Sequence, residues 1–286
     1  MGFFRRLFQK PAATAVQEPE PAEVAREGII LLFEAVPDLL RGLIQLRQVL
    51  QDPEAQLDRL EGTNSGAFHF GPHKIRVVGL PAALPRDVQQ RTIHLSHWPQ
   101  TTKDSLYQHR AHLVCFYEGT REDAREQLLA LYQLALAFGN LGLLGVADEA
   151  AFNVTPVAVV QDIFTSMKVG DLKTDFPAML WTNLLKFHRP DGPIWYATRG
   201  FERFGAPNFA LLGQPGEAAE TFDLFTALLR YVVSSGAELQ AGHTAEVGNL
   251  PLRFVAPYEY EDFLKGKGEL LVVEVVQMEA ENTVLT

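Results

Sequence analysis

A short stretch in the C-terminal half of the sequence constrains the fold more than any other part. Residues 195–198 (Trp-Tyr-Ala-Thr) are rich in aromatic and β-branched types that favour a strand, and residues 208–212 return as a second short strand. Between them lie Gly200, Gly205 and Pro207, which are residue types that form turns. The pattern predicts a β-hairpin, and we expect the C-terminal half to be organised around it.

Composition and charge indicate which classes of protein the chain can belong to. Its 286 residues are 47% hydrophobic and 21% charged, which is typical of a globular protein with a sizeable core. With 35 acidic and 25 basic residues the net charge is −10, which works against non-specific binding of nucleic acid. The single cysteine, Cys115, excludes an internal disulfide, and no apolar run reaches the ~18 residues of a membrane span. We therefore expect a soluble, cytoplasmic protein with no transmembrane segment and no nucleic-acid partner.

Residues 1–27 differ in composition from the rest of the chain and are predicted to be a disordered tail and linker. Residues 11–25 are rich in Pro, Ala and Glu, a composition that cannot build a core. Residues 1–10 combine Phe and Leu with three basic residues, a pattern that allows a weak contact with a membrane or a partner. The alternative is a frayed chain end, because an isolated helix of this length is only marginally stable.

Beyond residue 27 the sequence predicts an α+β fold in two halves, residues 28–170 and residues 171–286, which form either one compact domain or two. We expect mainly antiparallel sheets built from hairpins, with long helices packed on one face. Each half combines hairpins with one long helix, which suggests that the halves are related. Helices are predicted over residues 37–50, 121–138, 156–167 and 217–235, and strands over residues 29–33, 67–70, 74–78, 111–117, 141–146, 178–188, 195–198, 208–212, 243–247, 252–256 and 270–276.

Capping residues mark the start of two of these helices. Thr120, followed by Asp123, approximates a capping box in which the threonine is the N-cap. Thr155 precedes Pro156, which predicts an N-cap followed by a proline in the first helical turn.

Three short segments carry a resemblance to a known protein family. They are residues 109–115 (His-Arg-Ala-His-Leu-Val-Cys), residues 180–182 (Leu-Trp-Thr), and residues 198–200 (Thr-Arg-Gly) followed by residues 204–207 (Phe-Gly-Ala-Pro). In these positions the chain resembles the bacterial domain-of-unknown-function family numbered 4261. Where that family carries two glutamates after the proline, this sequence has Asn208 and Ala210. The resemblance implies an α+β fold and a soluble bacterial protein, and it implies no activity.

Histidines are concentrated in one region, and imidazole is a common metal ligand. Six of the eight lie between positions 69 and 112: His69, His73, His94, His97, His109 and His112. Two pairs have i, i+3 spacing, which places both rings on one face of a helix but on opposite faces of a strand. His112 begins a predicted strand and His94 follows β-branched residues, so the rings are not expected to converge. The sequence therefore predicts no metal site and no cofactor.

Other catalytic patterns are also missing from the sequence. It contains no Gly-x-Ser-x-Gly, Walker or Gly-x-Gly-x-x-Gly motif, and Cys115 lies in an apolar strand that predicts a buried, inert thiol. Acidic residues do cluster in the loop region 148–175, namely Asp148, Glu149, Asp162, Asp171 and Asp175. Paired carboxylates there could serve acid–base chemistry, but the net charge favours a solvated acidic face.

The polar residues of the predicted hairpin turn are the best binding candidates. Arg199 and Arg203 could bind a carboxylate or phosphate, or they could form a local ion network in which Glu202 neutralises one arginine. His109 and Trp181, from the segments that carry the resemblance, complete the candidate set.

These observations favour a non-enzymatic binding or regulatory module whose partner is another protein, of an immunity-like or sensing kind. The alternative is a metal-dependent or acid–base hydrolase that uses the region from His69 to His112 or the acidic loop 148–175. Three ligand-type side chains that converge in one cleft would favour the alternative.

Overall fold

The computed structural model describes residues 26–60, 64–167, 171–175 and 177–276. Over these ranges the chain forms thirteen strands, arranged in two mainly antiparallel sheets, and eight α-helices, which confirms the predicted α+β class. No helix in this part of the chain is long and apolar enough to cross a membrane. The predicted contact made by residues 1–10 lies outside the described residues.

The elements follow one another along the chain with short connections. The strands are β1 Gly28–Phe33, β2 Gln56–Arg59, β3 Ser65–Phe70, β4 His73–Leu80, β5 Ala111–Tyr117, β6 Leu143–Asp148, β7 Asn153–Pro156, β8 Asn183–His188, β9 Ile194–Arg199, β10 Asn208–Gly213, β11 Thr244–Val247, β12 Leu250–Val255 and β13 Leu270–Val275. The α-helices are α1 Leu39–Leu50, α2 Arg86–Gln89, α3 Gln100–Leu106, α4 Ala124–Ala137, α5 Val157–Ser166, α6 Asp171–Thr174, α7 Ala178–Trp181 and α8 Ala218–Ser235.

The first sheet, sheet A, has the strand order β2-β3-β4-β5-β1-β6-β7, with antiparallel pairing throughout. Side chains of a strand alternate between its faces, and β1 follows this rule. Leu31 and Phe33 pack into the main core together with α1 and α4, whereas Leu32 packs on the other face against side chains of α2 and α3. Sheet A is therefore covered by helices on both faces.

The second sheet, sheet B, has the order β11-β12-β13-β10-β9-β8, and only the β10–β13 pair is parallel. On one face Phe209 packs against Phe225 of α8 and Phe254 of β12. On the other face Trp195 belongs to a separate core cluster with Leu264, which ends the 3-10 helix Glu259–Leu264. The hairpin that the sequence predicts is the β9–β10 pair, and it lies inside sheet B rather than at its edge.

The two sheets share one hydrophobic core. A single cluster of buried side chains contains residues of sheet A, sheet B, α4 and α8. Tyr132 of α4 also donates a hydrogen bond from its hydroxyl to the carbonyl of Leu180, 2.9 Å away. The relatedness of the two halves stays a prediction.

Three predictions about secondary structure are wrong. Residues 178–188 form α7 followed by β8, not one strand, because an apolar run can be helical as well as extended. The N-cap of α4 is Asp123, whose side chain accepts a hydrogen bond from the amide of Arg125, and not Thr120. Thr155 lies in β7, and α5 begins after Pro156 without a side-chain cap.

We predict that Trp195→Ala lowers the free energy of unfolding by about 3–5 kcal/mol, because the indole is part of a buried cluster and its removal leaves a cavity. Urea denaturation of the purified protein measures the loss. Tyr231→Ala on the exposed face of α8 is the control, with an expected change within about 0.5 kcal/mol. Equal losses in the two variants would show that the buried cluster of Trp195 and Leu264 does not stabilise the fold.

Candidate functional site

The turn between β9 and β10, residues 200–207, has a backbone conformation that requires glycine at two positions. A 3-10 helix, Phe201–Phe204, lies between Gly200 and Gly205, whose φ angles are 95° and 75°. These left-handed conformations favour glycine over residues with a side chain. A Cβ atom added to Gly200 would also lie 2.8 Å from the carbonyl oxygen of Trp181. The turn therefore presents Arg203 and Glu202 in defined directions.

Arg203 forms a buried ionic junction with Glu27 and Asp148. Its guanidinium lies 2.8 Å from the Glu27 carboxylate and contacts both oxygens of Asp148, the farther at 3.2 Å. It also donates a hydrogen bond to the carbonyl of Trp181. The side chains of Arg203, Glu27 and Asp148 are only 5%, 9% and 1% exposed. The junction connects the turn of sheet B to residues that precede β1 and end β6 in sheet A.

Two carboxylates share one guanidinium in this junction. Burial raises the pKa of Glu27, and the nearby Arg203 only partly offsets this effect. Burial alone would lower the pKa of Arg203, but the attraction of Asp148 and Glu27 outweighs it and raises that pKa. Asp148 also accepts hydrogen bonds from the amides of Ala150 and Ala151. The junction is an internal connection in which the charged atoms of Arg203 are already paired.

The other polar residues of the turn also face inward. Arg199 donates hydrogen bonds to the carbonyls of Thr198, Leu264 and Lys265, and burial lowers its pKa. Glu202 accepts hydrogen bonds from the amide of Gly200 and from the side chain of Asn208. The direct ion-pair partners of Arg203 are therefore Asp148 and Glu27, whereas the sequence suggested a local network in which Glu202 neutralises one of the two arginines.

Trp181 and His109, the remaining binding candidates, lie in different places. Trp181 is fully buried and stacks on Phe204 of the turn, with ring centroids 6.1 Å apart. His109 accepts a hydrogen bond from the amide of Leu84 at its Nε2 atom, and its Nδ1 atom lies 2.7 Å from the carbonyl of Leu106. Burial lowers the pKa of His109. The structure thus brings Trp181 to the turn and places His109 beside Leu84 and Leu106, which belong to the core cluster on the other side of sheet A.

Four of the six histidines between positions 69 and 112, namely His69, His73, His109 and His112, contact different groups. His69 lies 3.0 Å from Asp58, His73 lies 3.0 Å from the Tyr117 hydroxyl, and His112 contacts the carbonyl of Ala82. Within residues 26–60, 64–167, 171–175 and 177–276, no three His, Cys, Asp or Glu side chains form a group that could hold a metal ion.

The acidic residues of the loop region 148–175 do not form one solvated face. Asp148 is buried in the ionic junction, whereas Glu149 pairs with Arg91 and Asp175 pairs with Arg230 at the surface. Sequence reasoning missed Glu27 because it was assigned to the tail, and the described part of the chain already begins at Arg26. The one sequence signal for Glu27 is its position immediately before the apolar strand β1.

A groove of about 450 Å³ runs beside the turn, between the start of α4 and the end of α8. Phe204 and Val233 contribute apolar surface to it, and Glu122 and Glu238 are exposed on its rim. A second depression of about 300 Å³ continues it past Gly205 and Glu238 and adds the exposed Glu269. The groove is therefore lined by both apolar and polar side chains, and acidic residues are exposed on its rim.

An aromatic patch lies on the opposite face of sheet B, on and next to the 3-10 helix Glu259–Leu264. It consists of Tyr258, Tyr260 and Phe263, which are 60%, 70% and 50% exposed. The two tyrosine rings stack with centroids 5.4 Å apart and planes 6° from parallel. Phe263 packs edge-on against Phe187 of β8. The patch is the largest group of exposed aromatic side chains in the described residues.

No family model, no curated protein and no solved structure matches this chain. The resemblance to family 4261 therefore depends on the three sequence segments alone, and it stays a prediction.

We predict that Arg203→Met lowers the free energy of unfolding by about 3–5 kcal/mol at pH 8, because two carboxylates are then buried without their counter-charge. The loss is smaller at pH 5, because burial raises the pKa of Glu27 and proton uptake removes its charge as the pH falls. Urea denaturation at both pH values measures the effect. Arg253→Met, which breaks an exposed pair with Glu274, is the control and costs about 0–1 kcal/mol. Losses of the same size in both variants would contradict a stabilising junction.

We also predict that the purified protein, free of an affinity tag, carries well under one equivalent of Zn, Fe, Mn or Ni, because no three metal-ligating side chains converge within the described residues. Elemental analysis measures the content, and a chelator is expected to leave the melting temperature unchanged, since a bound metal would stabilise the native state. A stoichiometric metal that disappears in the His109→Ala, His112→Ala double variant would contradict this expectation.

Proposed function

We propose that this chain is a non-enzymatic module that binds another protein through the aromatic patch. The observation that carries the proposal is the exposure of Tyr258, Tyr260 and Phe263 together, on and next to one short 3-10 helix. Aromatic side chains are enriched in protein interfaces, where each can bury a large apolar area and still offer a polar group. Scattered single apolar residues are normal on a protein surface, whereas a contiguous group indicates a site of interaction.

The patch is held rigidly, which favours binding. The carboxylate of Glu261 is buried and accepts a hydrogen bond from the amide of Tyr258, at 2.9 Å, so it fixes the first turn of the 3-10 helix. Leu264 anchors the end of that helix in the core beneath Trp195. Side chains that are already ordered lose less conformational entropy on binding.

The chemistry of the patch indicates the kind of partner. Glu259 is exposed beside the tyrosines, and Asp262 pairs with Lys265, so the patch has an acidic balance. The face of a tyrosine ring attracts a guanidinium group by about 0.5–1 kcal/mol at an exposed site. The proposed partner is therefore a protein surface that carries arginine beside apolar side chains.

Two observations are in line with a binding role in the cytosol. Within the described residues no three metal-ligating side chains converge, and Asp148, Glu149 and Asp175 pair with different arginines, so these acids form no converging set of the kind that a hydrolase uses. Cys115, the single cysteine, is buried in β5, which fits a reducing compartment.

The test compares proteins captured from a bacterial lysate by the wild-type chain and by the variants Tyr260→Ser and Phe263→Ser. Both side chains are at least half exposed, so the fold is expected to be retained. Tyr231→Ser, an exposed tyrosine on α8, is the matched control. The proposal predicts a protein that the wild type and the control capture and that both patch variants lose.

The captured protein is then purified and its dissociation constant measured. An interface hot spot is worth about 2 kcal/mol or more, so each patch substitution is expected to weaken binding by roughly 30-fold. Capture that is unchanged in the patch variants, or the absence of any protein whose capture depends on the patch, would show that the aromatic patch is not the binding surface.

A further inference from the structure

The groove beside the β9–β10 turn lies on the α8 side of sheet B and is separate from the aromatic patch, so it can serve a different ligand. We propose that residues 1–10 of this same chain bind in the groove and occupy it as an internal ligand. This proposal does not depend on the function proposed for the aromatic patch.

The charges of the two surfaces are complementary. Glu122, Glu238 and Glu269 are exposed along the groove, and no ion pair engages them within the described residues. Arg125 also lines the groove, but it is held by the carboxylate of Asp123 through three side-chain contacts. The groove therefore carries three unpaired negative charges, and residues 1–10 carry three positive charges, on Arg5, Arg6 and Lys10.

The apolar surfaces also match. Residues 1–10 contain Phe3, Phe4, Leu7 and Phe8, a spacing that places four large apolar side chains on one side of a helical turn. The groove offers the half-buried Phe204 and Val233 in a volume of about 450 Å³. Sites of about 300–1,000 Å³ are the size that encloses ligands in proteins.

The chain enters the fold at the groove. Arg26 donates hydrogen bonds to the carbonyls of Gly119 and Arg121, immediately before the groove residue Glu122, and Glu27 pairs with Arg203, which lines the groove. Residues 11–25 connect this point to residues 1–10, and 15 residues span at most about 50 Å. The segment can therefore reach the whole groove.

A ligand on so short a tether has an effective concentration on the order of 1 mM. An intrinsic dissociation constant of about 100 µM would then keep the groove about nine-tenths occupied. A partner that bears the same basic and apolar chemistry would have to displace residues 1–10 first, so the segment acts as an autoinhibitory contact.

The experiment uses the full chain with two engineered cysteines, Gln9→Cys and Gln240→Cys, under mild oxidation by copper–phenanthroline. Gln240 is exposed and lines the second depression that continues the groove, and Cys115 is fully buried and does not compete. The matched control is Gln9→Cys with Gln214→Cys, an exposed glutamine beyond the far end of β10, about 20 Å along that strand. The proposal predicts that the first pair forms a disulfide within one chain at least about tenfold faster than the control pair.

A charge exchange tests the origin of the contact. Glu122→Lys with Glu238→Lys in the groove, or Arg5→Glu with Arg6→Glu in the segment, is expected to reduce the cross-linking rate to that of the control. All four substitutions together are expected to restore it, which general unfolding would not do.

Three results would overturn the proposal. Equal rates for the two cysteine pairs would show that residues 1–10 do not occupy the groove. Cross-linked dimers in place of cross-linked monomers would show that the groove binds the segment of a second copy. Equal rates, together with binding of residues 1–10 to phosphatidylserine vesicles that is lost in Arg5→Glu, Arg6→Glu, would assign the segment to a membrane surface.

Discussion

The contact between Arg203 and the carboxylates of Asp148 and Glu27 determines how the two sheets are joined. The hydrophobic core beneath it is continuous. Apolar contacts are non-directional, however, so they tolerate small shifts of one surface over another. The Arg203 guanidinium fixes the position of one sheet relative to the other. It contacts the carboxylates of Asp148, at the end of β6, and of Glu27, before β1, in a site closed to water. The groove beside the turn keeps its shape because the arginine in its wall is held from inside the protein.

Local patterns in the sequence predict much of this fold. The hairpin around residues 195–212, the strand that buries Cys115 and the helix α8 that stops at Gly236 all appear in the structure. Each depends on a feature that acts over a few residues, such as alternation, helical periodicity or a left-handed glycine. The error at residues 178–188 has the same origin, because a short apolar run does not distinguish a buried strand from a buried turn of helix.

The site could not be predicted in the same way, because its charges meet only after folding. Arg203 and Asp148 are 55 positions apart in the chain. In the sequence, Arg203 belongs to a predicted turn and Asp148 to an acidic loop region, and neither pattern indicates the contact between them. Asp148 lies among other acids and Glu27 follows a linker-like composition, so both resemble exposed residues in the sequence. The groove and the aromatic patch likewise depend on which faces the two sheets leave uncovered, and this is decided by sheet order.

The position of β13 inside sheet B determines when that sheet can be completed during synthesis. β13 lies between β10 and β12, although it is the last strand of the described chain to be synthesised. Until residues 270–275 emerge from the ribosome, β10 and β12 each have an open edge that can pair with another strand. The N-terminal sheet, by contrast, has all its strands by residue 156. The nascent chain therefore carries the strands of the first sheet before the second sheet can close, and in that interval the open edges of β10 and β12 can pair with strands of other chains.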